Sequence, residues 1–438
     1  MADITIEHAD TGATVIARPQ PIGVFPLPAG YLLIPDGPGH DDARTELVAG
    51  RLPAELPEGL GFYRLALDGD LDAALDALVG DDLVARINRF VLDPAADALD
   101  LLLADVMASA AAGDNGAVEL RTFVETIAFV VGLRAMPPAV GAATGEFASL
   151  VYAAHATAAL EARRSGDAAD DLESAAQAAR SVSPALTGQL MGQLANVQLD
   201  EGGTQRAAVT FQAAIDHLEG TELFASRAEL HVAAGAMFQE MSEAAPRLMQ
   251  QAIDHYHQAL ALVNADVAPE TVAIANANLG LAYLMMPMNE ATDLLRTGVA
   301  VQSMREALNH FTPETHYERW SSTQLNLANA LVYMPSTHQA DNIAEAIGLY
   351  EGVLQHRTRE RDPQGRARVL ANQGNALAHL GVFDDAKSKL HEARSLFEEF
   401  EDHDAVMSIR GILDEVAKQE SIVRQDAGAG VGDGEVSS

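Results

Sequence analysis

Val369 to Phe397 reads VLANQGNALAHLGVFDDAKSKLHEARSLF. Leu370, Gly374 and Leu377 recur at helical spacing before Gly381, and Phe383, Ala386, Leu390 and Ala393 do so after it. Apolar residues three and four apart mark one face of an α-helix, and a glycine between two such runs marks a turn. The stretch therefore predicts two antiparallel helices. Gly374 and Ala386 are small enough to let the two backbones approach, and Leu370, Leu377, Leu390 and Phe397 would fill the seam.

The same spacing recurs upstream. ALTGQLMGQLANVQLDEGGTQRAAVTFQAAI supplies Ala195, Gly202, Ala207, Phe211 and Ala214, and the next copy supplies Gly235, Phe238, Ala252, Tyr256 and Ala259. Two more supply Gly280, Tyr283, Ala300, Met304 and Ala307, then Ala328, Leu331, Ala346, Tyr350 and Val353. A weaker copy covers Ala156 to Ala179. The pattern resembles the tetratricopeptide repeat (TPR), whose usual period is about 34 residues; here the starts advance by roughly 40 to 48. In three copies the extra residues fall between the two helices, so longer helices or a longer inner turn are expected. This long form, with NLANALVYMPSTHQADNIAEAI at 326–347, is similar to the TPR arrays joined to CHAT proteases. The repeat pattern ends near Val416, and no protease domain is expected within this sequence.

A helical hairpin of this kind cannot bury its apolar face alone, so neighbours stack. The resemblance thus implies a mainly α fold: a TPR-like α-solenoid, a right-handed superhelix of five or six hairpins over 148–420. Residues 1–60 read as a small β or mixed cap. Ile4–Glu7 and Ala13–Arg18 alternate around the turn residues Asp10-Thr11-Gly12, Tyr31–Ile34 is a third candidate strand, and Asp36–Asp42 is a loop by composition. In 61–147 a helical period predicts two to four helices. Leu65, Leu71, Ala74, Leu75 and Leu78 lie on one side, interrupted by Asp68-Gly69-Asp70, and Met136-Pro137-Pro138 ends the region. Residues 421–438 read as a disordered Gly/Asp/Ser tail.

Composition narrows the function. Of 438 residues, 28 are Lys or Arg and 63 are Asp or Glu, a net charge of −35. That balance argues against a phosphate-backbone or anionic-membrane partner, both of which need a basic face. No cysteine is present, which excludes disulfides, thiolate metal ligands and a thiol nucleophile. The only lysines are Lys387, Lys389 and Lys418, so no phosphate-binding loop with its lysine precedes residue 387. The longest apolar stretch, Phe123–Leu133, carries Glu125 and falls short of the ~20 residues that span a bilayer. The acidic start is unlike a signal peptide, and a cytoplasmic location is expected. HExxH and GxSxG motifs are absent, His255 and His257 diverge on a helix, and Gly428–Gly434 follows no strand. Paired acids at Asp170-Asp171 and Asp384-Asp385 read as turns or helix starts. No enzyme activity, metal or cofactor is expected.

In TPR proteins the groove is lined mainly by the first helix of each pair. Carried over position by position, the resemblance selects Arg368, Asn372, Asn375 and His379 around Gly374, and Asn326, Asn329 and Tyr333 around Ala328. It selects Asn278, followed by Leu281, around Gly280, and Gln193 and Asn196 around Ala195; the Gly235 copy has Ala233 and Ala236 instead. An Asn side chain offers one acceptor and two donors, suited to clamping an extended peptide backbone. The other reading is that these amides bond neighbouring helices and set repeat geometry. Arg357, Arg359, Arg361, Arg366 and Arg368 are either a clamp for a partner's carboxylates or a solvated helix end. Trp320, placed just before a repeat helix, is a ligand anchor or an inter-repeat packing residue; Met285, Met286 and Met288 are an adaptable surface or core. The expected function is a protein-interaction scaffold holding a partner peptide or helix in the groove, with an accessory role in assembling or maturing a multisubunit enzyme. The competing expectation is a regulatory or sensor subunit acting with a separately encoded effector such as a protease or kinase.

Overall fold

A computed structural model describes residues 5–7, 14–16, 20–113, 116–286 and 293–429. It divides into two compact units, Met1–Met237 and Phe238–Ser438.

The first unit opens with β1 (Thr5–Glu7) and β2 (Thr14–Ile16), antiparallel with Thr5 opposite Ile16; the Asp10–Gly12 turn lies outside the described residues. A second short pair follows, β3 (Gln20–Pro21) against β4 (Leu33–Ile34). Residues 29–31 form a 3-10 turn, so the expected strand from Tyr31 begins only at Leu33. The stretch expected as a loop at 36–42 instead enters helix α1 (His40–Val48). Gly39 adopts φ 77°, which only glycine takes readily, and Asp41 and Asp42 fill the first turn, where carboxylates meet the positive end of the helix dipole.

Five helices, not two to four, follow over 61–130: α2 (Gly61–Leu67), α3 (Leu71–Ala77), α4 (Leu83–Leu92), α5 (Ala96–Ala111) and α6 (Ala117–Val130). Two of the breaks have local causes, the first at the expected Asp68-Gly69-Asp70. Asp70 and Asp82 accept hydrogen bonds from the backbone N–H groups of Ala73 and Ala85, capping α3 and α4. The buried side of α2 and α3 is Phe62, Tyr63, Ala66 and Ala74, with Leu65, Leu71 and Leu75 only half-buried.

Asn88 of α4 ties this helical region to the β segment. Its Oδ1 accepts from Leu33 N–H at 2.7 Å, and its Nδ2 donates to Leu33 C=O at 2.9 Å, completing the edge of β4 as another strand would. Asn88 is buried, so Asn88→Ala leaves two backbone groups without partners. The expected cost is about 2–3 kcal/mol, read as lost hydrogen-exchange protection at Leu33 and Ile34. Unchanged protection would show that the bracket contributes nothing.

The hairpins begin with α7 (Gly145–Glu161) and α8 (Ser165–Ala179), then α9 (Pro184–Asp200) and α10 (Thr204–Leu218). Asp170 and Asp171 lie in the second turn of α8 rather than at its start, whereas Asp384 and Asp385 do occupy a first turn. The unit boundary falls within α11 (Phe224–Met241). The second unit continues with α12 (Leu248–Leu262), α13 (Pro269–Met285), α14 (Asp293–Leu308), α15 (Tyr317–Tyr333) and α16 (Gln339–His356). It ends with α17 (Pro363–His379), α18 (Phe383–Glu399) and α19 (His403–Ala429). Helix α19 thus runs through residues read from sequence as the start of the tail, and 430–438 lie outside the described residues.

Glycine sets the closest helix approaches. A Cβ on Gly374 would stand 2.8 Å from Leu390 Cγ and 3.1 Å from the Ala386 carbonyl oxygen. On Gly280 it would stand 2.8 Å from Met304 Cγ and 3.0 Å from the Ala300 carbonyl oxygen. Leu370, Leu377, Leu390 and Phe397 are all buried in the core of the second unit. Trp320 lies inside α15 rather than before it, buried in the same core with the His356 ring edge-on at 5.2 Å. Of its two readings, this placement is the packing one.

Candidate functional site

The second unit brings together five of the residues selected by sequence. Helix periodicity puts Asn326, Asn329 and Tyr333 in one stripe on α15, and Arg368, Asn372, Asn375 and His379 in a matching stripe on α17. The stripes meet. Asn372 Nδ2 donates to Asn329 Oδ1 at 3.2 Å, Asn375 Nδ2 donates to the Tyr333 hydroxyl at 2.9 Å, and the His379 ring lies edge-on to Tyr333 at 6.0 Å. Asn326 and Arg368 continue the row, half-buried and exposed respectively.

These amides are not equivalent. Asn329 is half-buried and accepts a second, shorter bond from the Tyr350 hydroxyl of α16 at 2.6 Å. Burial pushes the Tyr350 phenol well above its ordinary pKa, so it remains a donor. Asn329 is therefore an internal bracket between repeats. Asn372 and Tyr333 are exposed, and Asn375 is half-buried. Each of the α17 amides spends one N–H on its neighbour; among the described residues, its other N–H and its Oδ1 are open to a ligand. The structure thus sets Asn329 between neighbouring helices and leaves Asn372 and Asn375 with bonding capacity to spare.

Asn278 stands apart. It bonds the buried Tyr256 of α12, whose hydroxyl also donates to Gln239 Oε1 at 2.8 Å. This is again a bracket, with burial holding the phenol protonated. Gln193 and Asn196 belong to the other unit. They are exposed on α9 and line a cavity of about 520 Å³. Its other walls are α7 (Leu150, Ala153), α11 (Ser226, Leu230, Ala233) and the chain's own segment Gly23–Leu27. The segment is in contact with the first helices: a Cβ on Gly23 would stand 2.9 Å from Leu186 Cδ2 and 3.2 Å from Leu150 Cδ2. Ala233, a departure from the asparagine pattern, leaves room there.

Sequence reasoning extended helical repeats to residue 420 but placed no site residue on α19. In the second unit a cavity of about 280 Å³ is lined by Asn375, Ala378 and His379 of α17 and by Ser408, Gly411, Ile412, Glu415, Val416 and Gln419 of α19. The sequence signal there was the helical period ending near Val416, and the structure buries Val406, Ile409 and Val416 on one side of the helix.

The arginine segment is largely committed to the chain's own acids. Arg357 pairs with Asp362 at 3.2 Å, Arg366 with Glu392 at 3.0 Å, and Arg359 with Glu399. Arg357 also donates to Ser321 Oγ at 3.1 Å. His255 stacks on Phe238 at 5.4 Å, while the exposed His257 lies 2.9 Å from the Tyr283 hydroxyl. Met286 packs against the core beside Tyr256, Met285 is exposed, and Met288 lies outside the described residues. Among the described residues no group of three His, Asp or Glu could hold a metal ion, and no helix is long and apolar enough to cross a membrane.

Consecutive antiparallel hairpins with polar rows on their first helices define a TPR-like α-solenoid. No family model matches the chain, and no curated protein does. Among solved structures, YrrB, a TPR protein with an unusual peptide-binding site, is similar at 17% identity over 51% of this chain and 91% of that one, TM-score 0.35. The C-terminal part of a TPR repeat-containing protein from Cytophaga hutchinsonii is similar at 13% identity over 74% and 98%, TM-score 0.37. The Cut9–Hcn1 structure of the APC/C is similar at 14% identity over 86% and 66%, TM-score 0.42.

Proposed function

We propose that the chain is a protein-interaction scaffold that holds an extended peptide segment of a partner along the first helices of its second unit. The observation that carries this reading is the outward row of Tyr333, Asn372, Asn375 and His379, preset by bonds between α15 and α17. Groups already fixed by neighbouring repeats lose little entropy when a peptide backbone bonds to them. The row is also nearly free of charge. Helices α13, α15 and α17 carry Glu270 and Glu318 against Arg319, Arg366 and Arg368, within a chain of net charge −35. Backbone amides, being neutral, suit such a lining.

Because the first unit has a polar-rimmed cavity of its own, the chain offers two separate contact faces. This favours an accessory role in assembling or maturing a multisubunit enzyme, in which two components are held by one chain.

The test is co-purification with the tagged full chain, beside the N372A/N375A variant. Loss of two hydrogen bonds predicts about tenfold less partner retained, with helical circular dichroism unchanged. A partner kept equally by a folded variant would remove the interaction from this face. A retained protease or kinase would turn the reading toward a regulatory subunit.

A further inference from the structure

The cavity between α17 and α19 adjoins the polar row, since Asn375 and His379 belong to both. Its walls are of two kinds. Ala378, Ile412 and Val416 form an apolar side, while Gly411 keeps the α19 wall low. At the polar side stand Ser408, Gln419 and Glu415, and Glu415 is the only acidic residue in the lining. Gln419 Nε2 donates to Glu415 Oε1 at 3.4 Å, which orients the carboxylate. Lys418, one turn along the same helix, lies 3.8 Å from it, and the two side chains are 69% and 55% exposed. An exposed pair of that kind is worth little and can be displaced. His379 is the aromatic member of the lining, and the exposed Tyr333 ring stands edge-on to it at 6.0 Å.

We infer that this cavity is a specificity pocket for a single arginine side chain of the bound peptide. The inference rests on the groove reading above. An arginine matches each wall: its methylene stem covers Ala378, Ile412 and Val416, and its guanidinium reaches Glu415 while stacking on the His379 ring. The planar fork can bond a carboxylate through two parallel N–H groups, which an ammonium cannot do. An acidic side chain would face Glu415 in a chain that is already strongly anionic. The opposite end of the α17 row carries Arg368, so the two ends of the row differ in sign.

The pocket is tested without knowing the partner, by titrating isotope-labelled full-length protein with N-acetyl-arginine methylamide and following backbone amide shifts. Saturable shifts are expected at Ser408, Gly411 and Gln419, with binding weakened at least about fivefold in Glu415→Gln. N-acetyl-norleucine methylamide should bind at least about fivefold more weakly than the arginine probe. Equal binding of the two probes, or no effect of Glu415→Gln, would overturn the arginine assignment and leave an apolar slot. No shifts with either probe would overturn the pocket altogether. The groove itself is judged separately, by partner retention in N372A/N375A.

Discussion

Arg44→Met is expected to destabilise the first unit by about 3–5 kcal/mol, the cost of stranding a buried charge. Arg44 is 2% exposed and Glu146 is 4% exposed. The guanidinium donates to the Ile34 carbonyl at 2.7 Å and lies 3.6 Å from the Asp41 carboxylate. Burial lowers the Arg44 pKa, while Asp41, Asp36 and Glu146 favour its charged form. Methionine preserves most of the stem volume, so a packing defect is not the main term. What changes is that the Ile34 carbonyl loses its donor and Glu146 loses the nearby positive charge. Hydrogen exchange at β4, α1 and the start of α7 should report the loss. The Arg44→Met, Glu146→Gln double variant should lose less than the sum of the two single losses, because Glu146 is one of the acids that favour the charged Arg44. A single variant as protected as the wild type would show that the charges are solvated rather than coupled.

Gly374→Val is the second large effect, about 3 kcal/mol, at the upper end of what overpacking usually costs. Leaving glycine behind in a helix gains roughly 0.5–1 kcal/mol in backbone entropy, which opposes the clash. The clash wins because one of the three close contacts is the Ala386 carbonyl at 3.1 Å, and backbone cannot swing aside as the Leu390 side chain can. Helices α17 and α18 must separate, and α19, which packs next in the stack, loses support as well. Protection should fall together across α17, α18 and α19 while α13 is little affected. A change confined to α17 would mean that the repeats are less cooperative than their packing indicates.

How much was legible in the sequence follows from the range of the interactions concerned. The hairpins were legible because a repeat writes the same local spacing several times, and Gly374, Ala386 and Leu390 announce a crossing within 20 residues. The polar row was legible for the same reason, since its members sit at fixed offsets from those small residues. Its division into a bracketing amide and outward amides was not, because that depends on Tyr350 reaching Asn329 from another helix. The walls on α19 lie beyond the last repeat, where no recurring offset points to them. In the N-terminal region, periodicity marked helix and Asp68-Gly69-Asp70 marked one break, but the break before α4 was missed, since it is made by the capping Asp82 rather than by loss of apolar residues. The Asn88 bracket joins residues 55 positions apart, beyond any local signal.

The segment Gly23–Leu27 against the first helices of the first unit has a consequence for competition. A tethered occupant acts at an effective concentration in the millimolar range for a short connection. A partner approaching that face must either outcompete the chain's own backbone or build on it as part of the surface. Ile22, Val24 and Leu32 are buried, so displacement would also unseat structure on both sides of the segment. On the proposed reading a partner of the first unit therefore meets a face already part-covered by the chain itself, whereas the α15–α17 row has no such built-in rival among the described residues.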